Sequence, residues 1–158
     1  MERLDRLVGA LQDEDRQLRE LLQRIPPDRR EKAGPGGSLS VKETLGHLAF
    51  WDSFAVLFFE CKLRGDETEA GGAIDFEQRN RQEIKRLRTL PWHDVLERYG
   101  DATLHLAQFL RSHWFELSDR ERADFATPLR HRRHHRLLLE RALSSWQPRP
   151  RAEQARTA

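Results

Sequence analysis

Apolar residues recur along this chain at intervals of three and four positions, the spacing that places side chains on one face of an α-helix. The first such series consists of Leu4, Leu7, Val8, Leu11, Leu18, Leu21, Leu22 and Ile25. It predicts an amphipathic helix of about six turns. Pro26 and Pro27 follow at once and are expected to end this helix, because proline has no backbone N–H to donate.

A second helix is predicted over residues 41–63. The preceding Ser40 and the later Glu43 give the S-x-x-E form of a capping box, in which two side chains satisfy free backbone N–H groups at a helix start. Apolar side chains then fall on nearly every side of the helix: Leu45, Leu48, Trp51, Phe54, Ala55, Val56, Phe58 and Phe59. Because a helix that is apolar all round belongs in the interior, this one is expected to be the most buried element.

The middle of the chain predicts a connection and two more helices. Residues 64–75 are rich in glycine and acidic side chains, lack any period, and are expected to form a mobile connection. A short, mostly polar helix follows, with Phe76, Ile84 and Leu87 as its anchors. A long amphipathic helix begins after Pro91.

The last third of the chain predicts one more long helix. Residues 118–124 form a charged turn or a short helix, and a last helix runs over residues 128–146 with Thr127 as its N-cap. The tail, 147–158, has few apolar residues and is expected to be disordered. Four long amphipathic helices without an alternating strand pattern predict an all-α four-helix bundle over residues 1–146.

Composition narrows the class of protein. A chain of 158 residues is the size of one domain. Its 28 Lys and Arg residues nearly balance 26 Asp and Glu, so the formal net charge of +2 is weak support for a nucleic-acid partner. Since no secretory signal and no apolar run of about 18 residues is apparent, we expect a soluble, cytoplasmic protein. The single cysteine, Cys61, fits a reducing compartment and is interpreted as a buried core thiol.

The run "RHRRHHR" over residues 130–136 looks at first like a phosphate-binding strip. In a helix, however, its histidines and its arginines fall on different sides. At about 100° per residue, one stripe of the last helix carries His131, His135, Leu138, Ala142 and Trp146. The far side carries Arg132, Arg133, Arg136 and Glu140, with Arg130 and Arg141 at the other edge. The pattern therefore predicts an arginine face toward water and a histidine pair facing the interior of the bundle.

Two imidazoles one turn apart in an interior need partners for their nitrogens. A divalent metal is one solution, and hydrogen bonds or solvent at an open end of the bundle are another. His47, on the face of the second helix that carries Trp51 and Phe58, is also predicted to point inward. Where the second and last helices meet, His47, His131 and His135 would form a three-histidine site with an open position, typical of catalytic zinc or nickel.

The other polar candidates are assigned more ordinary roles. His134 lies at the edge of the stripe and is interpreted as a surface or neighbouring group. Asp52, one turn beyond His47, is interpreted as a surface or helix-pairing carboxylate, or as a group that orients a histidine or bound water. Surface positions are expected for His93 and His105, and His113 is expected near a helix end, where the helix dipole favours a cation.

The stretch from Ser40 to Asp52, "SVKETLGHLAFWD", resembles the signature W-S-x-K-[DE]-x-[LI]-x-H-L-x-x-W-[DE] of the DinB superfamily. The later H-x-x-x-H pair resembles the second motif of that family. The middle of the chain, from Phe76 to "LPWHDVLERYGDA", is most similar to the ClbS/DfsB branch. Three positions depart from the family pattern: Arg132 and His134 stand where a tyrosine and a glutamate are common in the branch, and Leu39 stands where a tryptophan often precedes the second helix.

The resemblance implies a four-helix bundle in up-down-down-up order, with a metal held by His47, His131 and His135. It also implies homodimerisation and activity on a reactive small molecule, either hydrolysis or S-transfer with a low-molecular-weight thiol. A metal-dependent enzyme is therefore the leading hypothesis. The alternatives are a metal-free bundle that sequesters a small molecule and a nucleic-acid-binding module that uses the arginines of residues 130–141.

Overall fold

The computed structural model describes residues 1–34, 39–66 and 75–146, and within these ranges the chain is helical and contains no strand. The helices are α1 (Glu2–Arg24), α2 (Val41–Leu63), α3 (Phe76–Thr89), α4 (Trp92–His113), α5 (Asp119–Asp124) and α6 (Ala126–Trp146). A 3-10 turn at Pro27–Arg29 follows α1. Residues 67–74 of the predicted mobile connection and the whole of the predicted disordered tail lie outside the described residues.

Local sequence signals set most of the helix ends. The capping box of α2 is confirmed: Glu43 N–H donates to Ser40 Oγ (3.1 Å), and Ser40 N–H donates to Glu43 Oε2 (2.8 Å). Ser118 and Glu121 build a second capping box at the start of α5. The last helix begins two residues before Pro128, whose missing N–H needs no partner in a first turn.

Two clusters of buried side chains give the directions of the long helices. One cluster joins the second halves of α1 and α6 to the first halves of α2 and α4, and includes Leu18, Leu22, Leu45, Leu48, Val95, Tyr99, Leu139 and Leu143. The other joins the opposite halves, and includes Leu4, Val8, Val56, Phe59, Leu106, Leu110 and Phe125. Helices α1 and α6 therefore run one way and α2 and α4 the other, which is the up-down-down-up order.

Helix α3 packs against the outer side of α2 through a close contact at Gly46. A Cβ atom on Gly46 would lie only 2.0 Å from Cδ2 of Leu87, which is fully buried. Glycine is thus the residue that lets the two helices approach here. At the other end of α3, Phe76 is 57% exposed, so it is not the core anchor that the sequence predicted.

The predicted arginine face toward water is wrong for two of its members. Arg132 is 1% exposed, and its Nη2 donates to Asp52 Oδ2 at 2.5 Å. Arg136 is also buried, and its Nε donates to Glu14 Oε2 at 2.8 Å. The reason is that α6 packs against α1 as well as α2, so the side of α6 away from the histidines faces another helix. Leu138, predicted to point inward, is 41% exposed.

Two further expectations concern the burial of the cysteine and the possibility of a membrane-spanning helix. Cys61 is 2% exposed, which confirms that its thiol is buried in the core. Among the described helices, none combines the length and the apolar character that crossing a bilayer requires.

Candidate metal centre

Three histidine side chains from two antiparallel helices converge at one edge of the bundle. His47 comes from the first half of α2, whereas His131 and His135 are one turn apart on α6. His131 Nε2 lies 2.9 Å from His47 Nε2 and 3.1 Å from His135 Nε2. The ligand atoms of all three residues lie within 4.8 Å of one another, so the predicted meeting of these histidines occurs.

Burial keeps the three imidazoles neutral at physiological pH. Desolvation, together with the positive charge that a neighbouring imidazole would carry, lowers the pKa of His131 to about 4 and that of His135 to about 3. The pKa of His47 is also lowered by burial, although the negative charge of Glu83 opposes this. Neutral rings keep a nitrogen lone pair available, which is the form that binds metals.

The nitrogens of the three histidines are better satisfied by a bound cation than by hydrogen bonds to one another. A neutral imidazole nitrogen either donates or accepts one hydrogen bond, so His131 Nε2 can satisfy only one of its two neighbours. Zinc–nitrogen bonds of about 2.0–2.1 Å at tetrahedral angles separate neighbouring nitrogens by about 3.4 Å. The separations of 2.9 and 3.1 Å from His131 Nε2 are slightly shorter than this value, and the ligand atoms of His47 and His135 lie within 4.8 Å of each other. The three nitrogens can therefore hold a divalent ion and leave a fourth position open.

A family model for the DinB superfamily matches residues 3–144, which covers the bundle and all three histidines. The chain belongs to the DinB superfamily. This superfamily includes metal-binding proteins, in agreement with the donor set found here. No curated protein and no solved structure matches this chain. The ClbS/DfsB branch stays a prediction.

In this DinB-superfamily protein the histidines are flanked by a tryptophan that is held in place. The ring of Trp51 packs edge-on to His47, with a centroid distance of 6.5 Å. Its indole N–H donates to Asn80 Oδ1 of α3 at 2.8 Å. Since a bound N–H fixes the ring plane, Trp51 presents a constant surface beside the triad.

One buried carboxylate adds negative charge near the triad. Glu83 is buried on the side of α3 that faces α2, one turn before Leu87. Arg86 holds both of its oxygens, through Nε at 2.9 Å and Nη2 at 2.5 Å. Glu83 was not predicted from the sequence as a site residue, and its i,i+4 spacing to Leu87 is the signal that could have indicated it.

Asp52 pairs with another helix instead of serving the histidines. Its carboxylate accepts from Arg132, so the helix-pairing interpretation is the correct one. Complete burial raises the pKa of Asp52 to about 6, and the Arg132 guanidinium opposes that rise. The guanidinium also donates to the hydroxyl of Tyr99 at 3.3 Å and lies over its ring. This pair locks α2 to α6 next to His131.

The remaining histidines occupy the positions that the sequence predicted. His134 is exposed, and its ring lies 5.3 Å from that of His135 without joining the triad. His93 and His113 lie beside Asp94 and Glu116 respectively, at 2.8 and 2.9 Å. His105 is likewise on the surface.

Proposed function

We propose that this protein is a metal-dependent enzyme that acts on a reactive small molecule. His47, His131 and His135 would hold a divalent ion, zinc or nickel, and the reaction would be hydrolysis or transfer to a thiol. The observation that carries the proposal is the convergence of three neutral imidazole nitrogens on one point. Three nitrogen ligands with an open position are the arrangement of catalytic sites, whereas structural sites are closed by four ligands.

The protein supplies the geometry for this chemistry. Bound at the triad, the ion would lower the pKa of a water or thiol and so provide a nucleophile near neutral pH. The histidines are half-buried, which limits bulk water around the open position. The Asp52–Arg132 pair sets the rotation of α6 against α2, and Trp51 forms one side of the approach.

If the reaction is an S-transfer, the thiol comes from outside the chain. Cys61 is the chain's single cysteine, and its thiol is buried among core side chains. It therefore cannot reach a substrate at the triad without unfolding of α2. A low-molecular-weight thiol is the partner that this version of the proposal requires.

Metal content measured by mass spectrometry tests the proposal directly. We expect close to one zinc or nickel per chain in the wild type after reconstitution and dialysis, and a large loss in His131→Ala and His135→Ala. His134→Ala is the matched control, because it removes an imidazole from the same helix but outside the triad. Equal and negligible metal in the wild type and His131→Ala would refute the proposal.

A second candidate is a metal-free bundle that sequesters a small molecule. It is favoured by one observation: His131 Nε2 lies within hydrogen-bonding distance of His47, so part of the triad can be satisfied without an ion. Tight binding of a reactive compound without turnover, at equal strength in metal-loaded and chelator-treated protein, is the result expected for this candidate.

Three of the five arginines of the last helix that would serve nucleic-acid binding are paired with carboxylates of other helices. Arg132 and Arg136 are buried in ion pairs, and Arg133 donates to Glu14 at 2.7 Å. A strip for phosphates needs guanidinium groups that are exposed and uncompensated. Homodimerisation, implied by the resemblance alone, is a separate proposal that light scattering on the purified protein would test.

A further inference from the structure

Large apolar side chains are exposed on α3 and on α6, the helices next to α2 and His47. On one side, Phe76 at the start of α3 is 57% exposed. On the other, Leu138 of α6, which is one turn beyond His135 and in phase with His131, is 41% exposed. Phe76 and Leu138 therefore add exposed apolar area to these two helices, while the exposed imidazole of His134 lies beside His135.

Aromatic rings form the side of this surface that belongs to α2 and α3. We call Trp51, Phe54 and Phe76 the aromatic wall. The rings of Trp51 and Phe76 are tilted by 32° with centroids 5.2 Å apart, and the rings of Trp51 and Phe54 meet edge-on at 5.4 Å. The wall adjoins the triad directly, through the contact between Trp51 and His47.

The three rings of the wall offer faces and edges to a ligand and no free donor of their own, and the Arg79 guanidinium lies over the ring of Phe54 at 5.0 Å. The indole N–H of Trp51 is already bound to Asn80, and phenylalanine has no polar atom. The backbone at Phe76 is ordered by the cap of α3, in which Asp75 accepts from Gln78 N–H at 2.8 Å, and the Phe76 ring lies against that of Trp51. Aromatic rings recognise a ligand by stacking and by the area they bury.

We infer that the substrate carries a flat, conjugated ring, and that this ring stacks against Trp51 and Phe76 while its reactive group reaches the triad. The second part rests on the function proposed above. The first part rests only on the aromatic wall and can be tested without a metal.

Hydroxamates with one metal-binding group and different hydrocarbon parts are suitable probes. On zinc-loaded protein, we expect benzohydroxamate and 2-naphthohydroxamate to bind several-fold more tightly than cyclohexanecarbohydroxamate, although the saturated ring is equally apolar. Phe76→Ala should weaken 2-naphthohydroxamate by about fivefold, the scale of one aromatic contact, and leave acetohydroxamate unchanged. Phe115→Ala is the matched control, since Phe115 is 68% exposed and outside the wall.

Because Phe76 is exposed, its replacement should leave the fold intact, which circular dichroism checks. Equal binding of the saturated and aromatic rings, or no effect of Phe76→Ala, would overturn the inference even where acetohydroxamate confirms a bound metal. Conversely, 2-naphthalenemethanol has no chelating group and is tested on metal-free protein by tryptophan quenching. Its binding to the wild type and not to Phe76→Ala would support the inference even if the metal proposal fails.

Discussion

Replacing Gly46 by alanine is expected to reverse the usual effect of such a change in a helix. In an exposed helix, alanine in place of glycine stabilises by about 0.8–1 kcal/mol. At Gly46 the new Cβ would lie 2.0, 2.6 and 2.8 Å from Cδ2, Cδ1 and Cγ of Leu87. Carbon atoms prefer about 3.5–4.0 Å, so α3 must move outward or the fully buried Leu87 must leave its rotamer. Overpacking of this kind costs about 1–3 kcal/mol.

The free energy of unfolding, measured by urea denaturation at pH 7, should therefore fall by about 1–2 kcal/mol in Gly46→Ala. Gly9→Ala is the control, because a Cβ there meets nothing within 4 Å and should stabilise by nearly 1 kcal/mol. Leu87→Ala removes the clashing atoms at a cost of about 2–5 kcal/mol. In that background Gly46→Ala should become stabilising. If alanine at this position stabilises the Leu87 protein as well, the close packing of α3 on α2 does not limit stability.

Three further predictions follow from buried polar contacts. Arg132→Met leaves the buried carboxylate of Asp52 without its cation and should lower the free energy of unfolding by about 3–5 kcal/mol. Adding Asp52→Leu to the same chain should restore most of this loss. Equal instability of the single and the double variant would contradict the prediction. Burial alone would raise the pKa of Glu14, but bonds from the arginines of α6 lower it below its ordinary 4.5. The stability that the Glu14 carboxylate gives the fold is therefore present above pH 4.5 and is lost as the pH falls through the folded-state pKa. Glu14→Gln should be less stable than the wild type at pH 7 by about 1–3 kcal/mol, and the difference should shrink below pH 4.5; a constant difference in denaturation midpoints would refute the assignment. Asn80→Ala should free the indole of Trp51. The fluorescence emission of Trp51, isolated by subtracting the spectrum of the Trp51→Phe protein, should then change in intensity or wavelength while the circular dichroism stays constant. An unchanged emission would show that the contact is not held in solution.

The helices and the identity of the converging histidines follow from local patterns in the sequence. Periodicity and capping residues act within a few positions, so α2 begins at its capping box and α1 ends before Pro26, as predicted. The i,i+4 spacing of His131 and His135 fixes their common side of α6 whatever surrounds the helix. Metal binding by the triad stays a prediction, whereas the meeting of the three side chains is now observed.

The direction that each side of α6 faces depends instead on how the helices pack together. Periodicity gives the angle between two residues of one helix, but not the direction in which neighbouring helices lie. Because α6 packs against α1 and α2 together, the interior reaches Arg132 and Arg136, and Leu138 is left at the surface. Each buried arginine is stabilised by a carboxylate remote in sequence, 80 residues away for Asp52 and 122 for Glu14. A pairing between two helices far apart in the chain depends on their packing, and it leaves no periodic signal in either helix alone.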